Sequence, residues 1–502
     1  MSLSNHVRGK GASATINHLY RYVEVDHEIP KLKMPQKSVT KQAAASIIRS
    51  ELKLDGNPDL NLASFVTTEI DKECHALMME NLNKNLADTS QYRHSSEIQD
   101  RCINILANLF HAPSHDDDDD DEESGAVGTA TIGSSEAIML GGLSLKWRWR
   151  AKQAIKEGKK PEEITTRCNL IFSTAVHVSV LKLCRYFDIE PRSIPLEHNR
   201  YTLDIEQAIA RYIERLNNAL LKLKKEKGFD IPIHVDGASG AMIAPFIFPD
   251  VLWDFRLEQV RSINTSGHKY GLVLPGLGWI VWRCKEDLPE DLIFHVNYLG
   301  VDEPTFNLNF SRSAANVIGQ YYQFLHLGFE GYERIARLAI DNAKFVADSL
   351  VTMSEGLFVI RSRNDQPSLP MIAFSINPEK NLRFNETILV HGLREHGWII
   401  PVYTLAENVS DITVCRIVVR ETFTRNIASI LLEDIRLVLI RLSDSYGHHD
   451  LIEALNTARD NNHQHRRSKQ HSQRVTKSVQ SSKDGTDHKH KKDKHSTKHV
   501  IC

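Results

Sequence analysis

Ile231-Pro-Ile-His-Val-Asp-Gly-Ala-Ser239, an apolar β-rich run that delivers a carboxylate, is followed one helix and one strand later by Asn264-Thr-Ser-Gly-His-Lys-Tyr-Gly271. Alone, Lys269 reads as a surface lysine in a turn and Asp236 as a strand-end helix cap. Together they have a specific chemical use. Pyridoxal phosphate needs an amine to hold its aldehyde as a Schiff base and a carboxylate to keep its ring nitrogen protonated, and the two make the ring an electron sink. The pair predicts an enzyme that uses this cofactor, with Lys269 and Asp236 among its catalytic residues.

Outward from this pair, helical patterns alternate from Asn61 with short β-rich runs: Asn169-Leu-Ile-Phe-Ser173, Ser193-Ile-Pro-Leu196, Ile231 to Val235 and Gly278-Trp-Ile-Val-Trp282. Alternation of this kind predicts an α/β domain over residues 59–330, with a largely parallel sheet and helices on both faces. Ligands of such sheets sit at the carboxyl ends of the strands, where Asp236 and the Lys269 turn would lie. A long helix around Glu330 to Ser354 leads into Leu357-Phe-Val-Ile-Arg361, Met371-Ile-Ala-Phe-Ser375 and Thr413 to Arg420, which read as a smaller α+β domain over residues 331–458. Residues 1–58 carry one helical segment and read as an arm that packs on something else. The acidic insert at 114–124 reads as a solvated surface loop. Residues 459–502 are rich in His, Lys, Ser and Gln; they bury too little apolar surface to offset ordering entropy and are expected to be disordered.

Composition narrows the class. The chain has 502 residues, 62 Lys and Arg against 64 Asp and Glu, and 41% hydrophobic residues, which suits a globular protein of two or three domains. A net charge of −2 argues against a general nucleic-acid binder, so no nucleic-acid partner is expected. The 7 cysteines are scattered and never in C-x-x-C spacing, which suggests neither a disulfide framework nor a metal site and favours a reducing compartment. The polar start lacks the apolar core of a signal peptide, and no apolar stretch approaches membrane-spanning length. A cytoplasmic location without a membrane partner is the expectation.

Other residues fit the same chemistry, each with a plainer alternative. Gly133-Ser134-Ser135-Glu136 opens a helical run; its N–H groups and hydroxyls suit a phosphate, although an ordinary helix cap has the same look. Ser266 and His268 flank Lys269 and would add donors. His177, just past a strand, could stack on a pyridine face or be a satisfied buried histidine. Arg420 ends a β-rich run; its planar fork suits bidentate capture of a carboxylate, or a surface ion pair.

Taken together, these stretches resemble the group II pyridoxal-phosphate-dependent decarboxylases, and among them the glutamate decarboxylases, in a fungal or other eukaryotic form. The resemblance runs from about Asn61 to Asp444. It is carried by Asn61-Leu-Ala-Ser-Phe65, Leu109-Phe-His-Ala-Pro113, Thr131-Ile-Gly-Ser-Ser-Glu-Ala137, Ser266-Gly-His-Lys-Tyr-Gly-Leu272, Asn297-Tyr-Leu-Gly300, Asn309-Phe-Ser-Arg312 and Arg416-Ile-Val-Val-Arg420. It implies the type I fold of pyridoxal-phosphate-dependent transferases and conversion of L-glutamate to 4-aminobutyrate and CO₂. In that reading Lys269 carries the cofactor, and Asp236, Ala238 and His177 sit against its ring. Ser134, Ser135, Ser266 and His268 hold its phosphate, joined by Ser311 from a neighbouring subunit. Ser64, the Phe65 backbone and, from across a dimer, Asp88 face the distal carboxylate, and Arg420 takes the α-carboxylate side. Shared sites of this kind imply a homodimer or a higher homo-oligomer. Asp88 near a substrate carboxylate implies that one carboxyl holds a proton, hence activity favoured at acidic pH.

The sequence departs from that family in places. Ser64 stands for the usual Thr, Arg93 for Pro, Gly237 for Ala, and His177 for the Gln of glutamate decarboxylases. More consequentially, Asp204-Ile-Glu-Gln-Ala-Ile-Ala210 runs into Arg215-Leu-Asn-Asn-Ala-Leu-Leu-Lys222 with no β-rich run, so an interior strand between Leu196 and His234 is expected to be missing. Its loss would leave backbone groups unpaired. The alternative function is therefore a catalytically impaired homologue, or a chain shortened by faulty splicing or gene prediction, serving as a non-catalytic oligomer partner.

Overall fold

The computed structural model describes residues 31–113, 127–196, 205–296, 303–362 and 368–458; the acidic insert, the tail and the Asn297-Tyr-Leu-Gly300 motif lie outside them. The chain divides into two compact units, Met1–Asn57 and Pro58–Cys502. In the first, helix α1 (Lys41–Leu52) starts at Thr40, whose hydroxyl accepts the Ala43 N–H at 3.1 Å. That bond satisfies one of the orphan donors of a first helical turn.

The second unit carries all the candidate site residues. Helices α2 (Lys72–Glu80) and α3 (Arg93–Leu109) precede β1 (Gly128–Thr131), α4 (Ser134–Glu157), β2 (Asn169–Ser173), α5 (Val178–Tyr186), β3 (Glu190–Ile194) and α6 (Ile205–Lys227). Then come β4 (Ile233–Asp236), the single turn α7 (Ala244–Ile247), β5 (Val260–Thr265), β6 (Gly278–Trp282), β7 (Phe294–Val296), β8 (Glu303–Thr305) and α8 (Ala315–Met353). The chain continues through β9 (Phe358–Ile360), β10 (Met371–Ile376), α9 (Glu386–Glu395), β11 (Val402–Thr404), β12 (Thr413–Val418) and α10 (Arg425–Tyr446). Arg93, where the resemblance leads to an expectation of Pro, is the first residue of α3, the helix position at which Pro is tolerated best.

The central sheet has the order β1-β6-β5-β4. The sequence predicts a largely parallel sheet, and three of the four strands, β1, β4 and β5, run in one direction with β6 alone reversed. β4 and β5 run parallel, but β6 runs antiparallel to both β5 and β1. The cause is the connection from β5 to β6, residues 266–277, which contains the Lys269 turn and no helix. A parallel return would need a crossover, usually helical. All five residues of β6 are buried, and the Trp279 and Trp282 indoles donate to Gln320 and Ser144.

Among the described residues no strand lies between β3 and β4, where the sequence lacks a β-rich run, and α6 occupies Ile205–Lys227 of that interval. β2 and β3 form a separate parallel pair, so the sheet is split in two. Ile171 in the middle of β2 is 59% exposed, as a strand left without one neighbour would be.

A second sheet, β11-β12-β10-β9, is antiparallel throughout and packs with α9, α10 and the later part of α8 around Phe374, Ile417, Leu431 and Ile435. α8 serves both cores: Val317 lies in the first and Val346 in the second, on either side of a kink at Gly328. Gly328 takes φ 56° and ψ −171°, a conformation that favours glycine.

Registers fix what the first sheet presents at one edge. Thr131 pairs with Gly278, Thr265 with Trp279, and Asp236 with Asn264, so the residues after β1, β4 and β5 emerge side by side. A Cβ on Gly278 would stand 2.3 Å from the Gly133 carbonyl carbon and 2.6 Å from the Ser134 nitrogen. Gly278→Ala should therefore push the start of α4 off the sheet and destabilise the protein by about 1–3 kcal/mol, read as a lowered thermal midpoint; an unchanged midpoint would refute the close packing.

Candidate active site

Asp236 ends β4 with its carboxylate fixed: Oδ1 accepts from the Asn264 side-chain amide at 3.0 Å and from the Ala238 N–H at 3.2 Å. Ala238 is in turn held by the Ser266 N–H, which donates to its carbonyl at 3.0 Å. A Cβ on Gly237 would lie 2.6 Å from that of Ala241, so the departure to glycine here matches the space available.

Lys269 sits in the turn after β5. Its carbonyl accepts from the Thr67 hydroxyl at 2.7 Å, and its Nζ lies 5.7 Å from the centre of the Phe65 ring. The following backbone is clamped by α8. Gln320 and Tyr332 donate to the Gly271 carbonyl at 3.0 and 2.9 Å, and Gln323 donates to that of Leu272 at 2.9 Å. Leu272 adopts φ 63°, a left-handed conformation costly for a leucine, so the clamp over-determines a strained backbone three residues from Lys269. Sequence reading missed this clamp because glutamines on a helix carry no local signal of what they reach.

The phosphate-ready end lies at the start of α4. Gly133 caps it without a side-chain hydrogen bond, while the Ser134 and Ser266 hydroxyls meet at 2.6 Å. His268 packs beside them: a Cβ on Gly133 would be 3.2 Å from its Cε1. Because the Leu277 N–H donates to His268 Nδ1 at 3.2 Å, the ring's proton is on Nε2. Ser135 and Ser179 hydroxyls are 2.8 Å apart, and His177 Nδ1 lies 2.6 Å from Ser179 Oγ. The Ser179 N–H also donates to that Nδ1, at 3.3 Å, so it is an acceptor and both hydroxyl protons point toward His177. This chain of bonds spans the break in the sheet, since Ser135 starts α4 and His177 caps α5. Burial lowers the proton affinity of His177, Asp236 raises it and Lys269 lowers it, the signature of one shared electrostatic site.

The residues expected on the substrate side, Ser64 and Phe65, are carried on a stitched loop. Leu62 bonds to Ile399 and Val418, Thr67 N–H donates to the His268 carbonyl at 2.9 Å, and the Ser64 hydroxyl accepts the Val66 N–H at 3.1 Å. Arg416, to which the sequence assigned no role, donates to the Ala63 carbonyl at 2.9 Å and stands 5.4 Å from the Phe65 ring centre. Arg420, read in the sequence as a fork for a carboxylate, spends that fork on the chain itself. It is 2% exposed and donates to the carbonyls of Val66 and Pro58, both at 2.9 Å. Ser311 and Asp88 gather elsewhere, around Asn85, whose amide donates to Ser311 Oγ at 3.4 Å and whose carbonyl accepts from Arg312 and Ala87. Asp88 accepts from the Ser90 hydroxyl and the Gln91 N–H.

These donors fit pyridoxal phosphate: uncapped helix donors and hydroxyls for its phosphate, a fixed carboxylate for its ring nitrogen and a lysine for its aldehyde. Burial, with Lys269 adding repulsion, pushes His268 from its ordinary 6.5 down to about 4. The unfolded chain therefore takes up the proton first, and stability is lost as pH falls from about 6.5 toward 4. His268→Gln should flatten the thermal midpoint's fall over that window in the cofactor-free protein; an unaltered slope would show that His268 is not buried neutral.

The comparisons with known proteins converge on the same chemistry. The family model of the pyridoxal-dependent decarboxylase conserved domain matches residues 35–220 and 212–377, two blocks that meet inside α6, where the sheet is split. Glutamate decarboxylase of Petunia hybrida is 44% identical over 463 residues, covering 88% of this chain and 89% of its own. That of Aliivibrio fischeri is 38% identical over 442 residues, covering 84% and 92%. Among solved structures, a glutamate decarboxylase of Lactobacillus brevis superposes with a TM-score of 0.75 at 36% identity, covering 83% of this chain and 96% of its own. With its lysine, aspartate and phosphate-ready helix end on one sheet edge, the chain belongs to the pyridoxal-dependent decarboxylase family.

Proposed function

We propose that this chain is a glutamate α-decarboxylase, releasing CO₂ from L-glutamate and leaving 4-aminobutyrate. The observation that carries the reading is the convergence of Lys269, the fixed Asp236 carboxylate and the Ser134–Ser266–His268 donor group at one sheet edge. The substrate comes from the relatives, which are named glutamate decarboxylases across plants and bacteria.

Pyridoxal phosphate, when bound, supplies the sink into which the electrons of the breaking Cα–carboxylate bond run. The chain's residues do the rest. Lys269 carries the cofactor by its amine. Asp236, anionic, keeps the proton on the ring nitrogen. The Ser134 and Ser135 N–H groups, the remaining proton of the Ser134–Ser266 hydroxyl pair and the Nε2–H of His268 donate to phosphate oxygens, and His177 covers the ring face and keeps water off it. Ser64 and the Phe65 backbone present donors to the distal carboxylate, on a loop that Arg420 anchors through Pro58 and Val66 at the α-carboxylate side. Ala238 packs against the ring.

Asp88 and Ser311, close together around Asn85, would complete the site of a neighbouring subunit, which makes the active form a homodimer or larger homo-oligomer. The six described cysteines are all free, in keeping with a reducing, cytoplasmic setting. No helix among the described residues is long and apolar enough to cross a membrane.

Visible absorption with added pyridoxal phosphate tests the cofactor assignment: a band that needs Lys269 is expected, and its equal appearance in Lys269→Ala would overturn it. CO₂ release from L-glutamate tests the reaction. Asp236→Asn should lower its rate roughly a hundredfold or more, since the charge holding the ring-nitrogen proton is lost. Release from wild type no faster than from Lys269→Ala would defeat the proposed activity.

A further inference from the structure

Asp236 is backed by a line of side chains, Asn264, His234 and Ser262, that the mechanism above does not use. Asn264 Nδ2 donates to Asp236 Oδ1 at 3.0 Å, Asn264 Oδ1 lies 2.9 Å from His234 Nε2, and His234 Nδ1 lies 2.8 Å from Ser262 Oγ. The strand register builds this line, pairing His234 with Ser262 and Asp236 with Asn264 across β4 and β5. Ser262 and Asn264 are fully buried.

Valence fixes the direction of every bond. An ionised carboxylate only accepts, so Asn264 turns its NH₂ to Asp236 and its carbonyl oxygen to His234. That oxygen also only accepts, so His234 carries its proton on Nε2. Its Nδ1 is then the acceptor, and the Ser262 hydroxyl donates to it. Ser262, His234 and Asn264 thus line up their dipoles toward Asp236, an arrangement in which each bond polarises the next. The ring has no room to turn: a Cβ on Gly141 of α4 would stand 2.6 Å from both its Cε1 and its Nδ1. Burial lowers the imidazole's proton affinity, although Asp236 and Asn264 pull the other way, in keeping with a neutral ring.

We propose that His234 is a positioning residue for the cofactor's carboxylate: its Nε2–H fixes the Asn264 amide, and that amide fixes Asp236 toward the ring nitrogen of pyridoxal phosphate. The proposal rests on the reading that Asp236 meets that nitrogen.

A double-mutant cycle on pyridoxal phosphate affinity, measured by fluorescence titration with thermal midpoints alongside, tests it. His234→Phe fills the ring's space without a donor and should weaken binding roughly tenfold, the cost of one buried bond lost. Asn264→Leu should do the same, and the double variant should be no weaker than the poorer single one, since both break one line. His234→Gln, which can still offer an N–H to Asn264, should stay within about threefold of wild type, because it keeps the donor. Losses that multiply in the double variant, or a Gln variant as weak as the Phe one, would overturn the proposal in favour of simple packing. Histidine-selective ¹⁵N NMR of the cofactor-free protein, with the signal assigned by its loss in His234→Gln, gives a reading that needs no cofactor. An Nε2–H ring supports the line of bonds; an Nδ1–H or cationic ring overturns it. If the wild-type protein takes up no pyridoxal phosphate, the proposed function fails and the NMR result alone decides the hydrogen-bond line.

Discussion

The registers of β4 on β5, β5 on β6 and β6 on β1 are the constraint on which everything else depends. Shifting any of these strands by one residue would turn its side chains to the opposite face and break the alignment of its ends. With Asp236 beside Asn264 and Thr131 beside Gly278, the carboxylate, the lysine turn and the start of α4 leave the sheet together. The reversed direction of β6 belongs to the same design. Its short connection from β5 keeps the Lys269 turn tight, and α8 then clamps that turn through Gln320, Gln323 and Tyr332.

The site is assembled from both cores. The loop from Pro58 to Thr67 is held on one side by the carbonyls of His268 and Lys269, and on the other by Arg416, Arg420 and the β12 edge. A loop pinned from both sides costs little further ordering entropy when a ligand arrives. That role explains why the guanidinium of Arg420 is buried on main-chain carbonyls, where a surface ion pair would have left it in water.

The split sheet has a local consequence. Asp236, Lys269 and the Ser134–Ser266 pair lie on the four-stranded side, while His177 and Ser179 follow β2 on the other. The two sides are joined at the site by the Ser135–Ser179 bond and by α4 packing on α5 around Ile138, Val180 and Leu183. Side-chain bonding and helix packing here hold together what an intervening strand would hold through its ladder.

Legible in the sequence were the local pieces: a strand that delivers Asp236, a Ser-Gly-His-Lys turn, a Gly-Ser-Ser helix start, and the absence of a β-rich run before His234. These are local, because strand ends, turns and helix starts are written in neighbouring residues. Tertiary structure alone decided the partners. That Asn264 would reach Asp236, that His234 would lie behind Asn264, that α8 would hold the Leu272 backbone and that Arg420 would turn to Pro58 and Val66 all depend on strand register and on contacts between residues far apart in sequence. The direction of β6 belongs with them, because a strand's pattern of apolar residues is the same read up or down, and only its neighbours choose between the two.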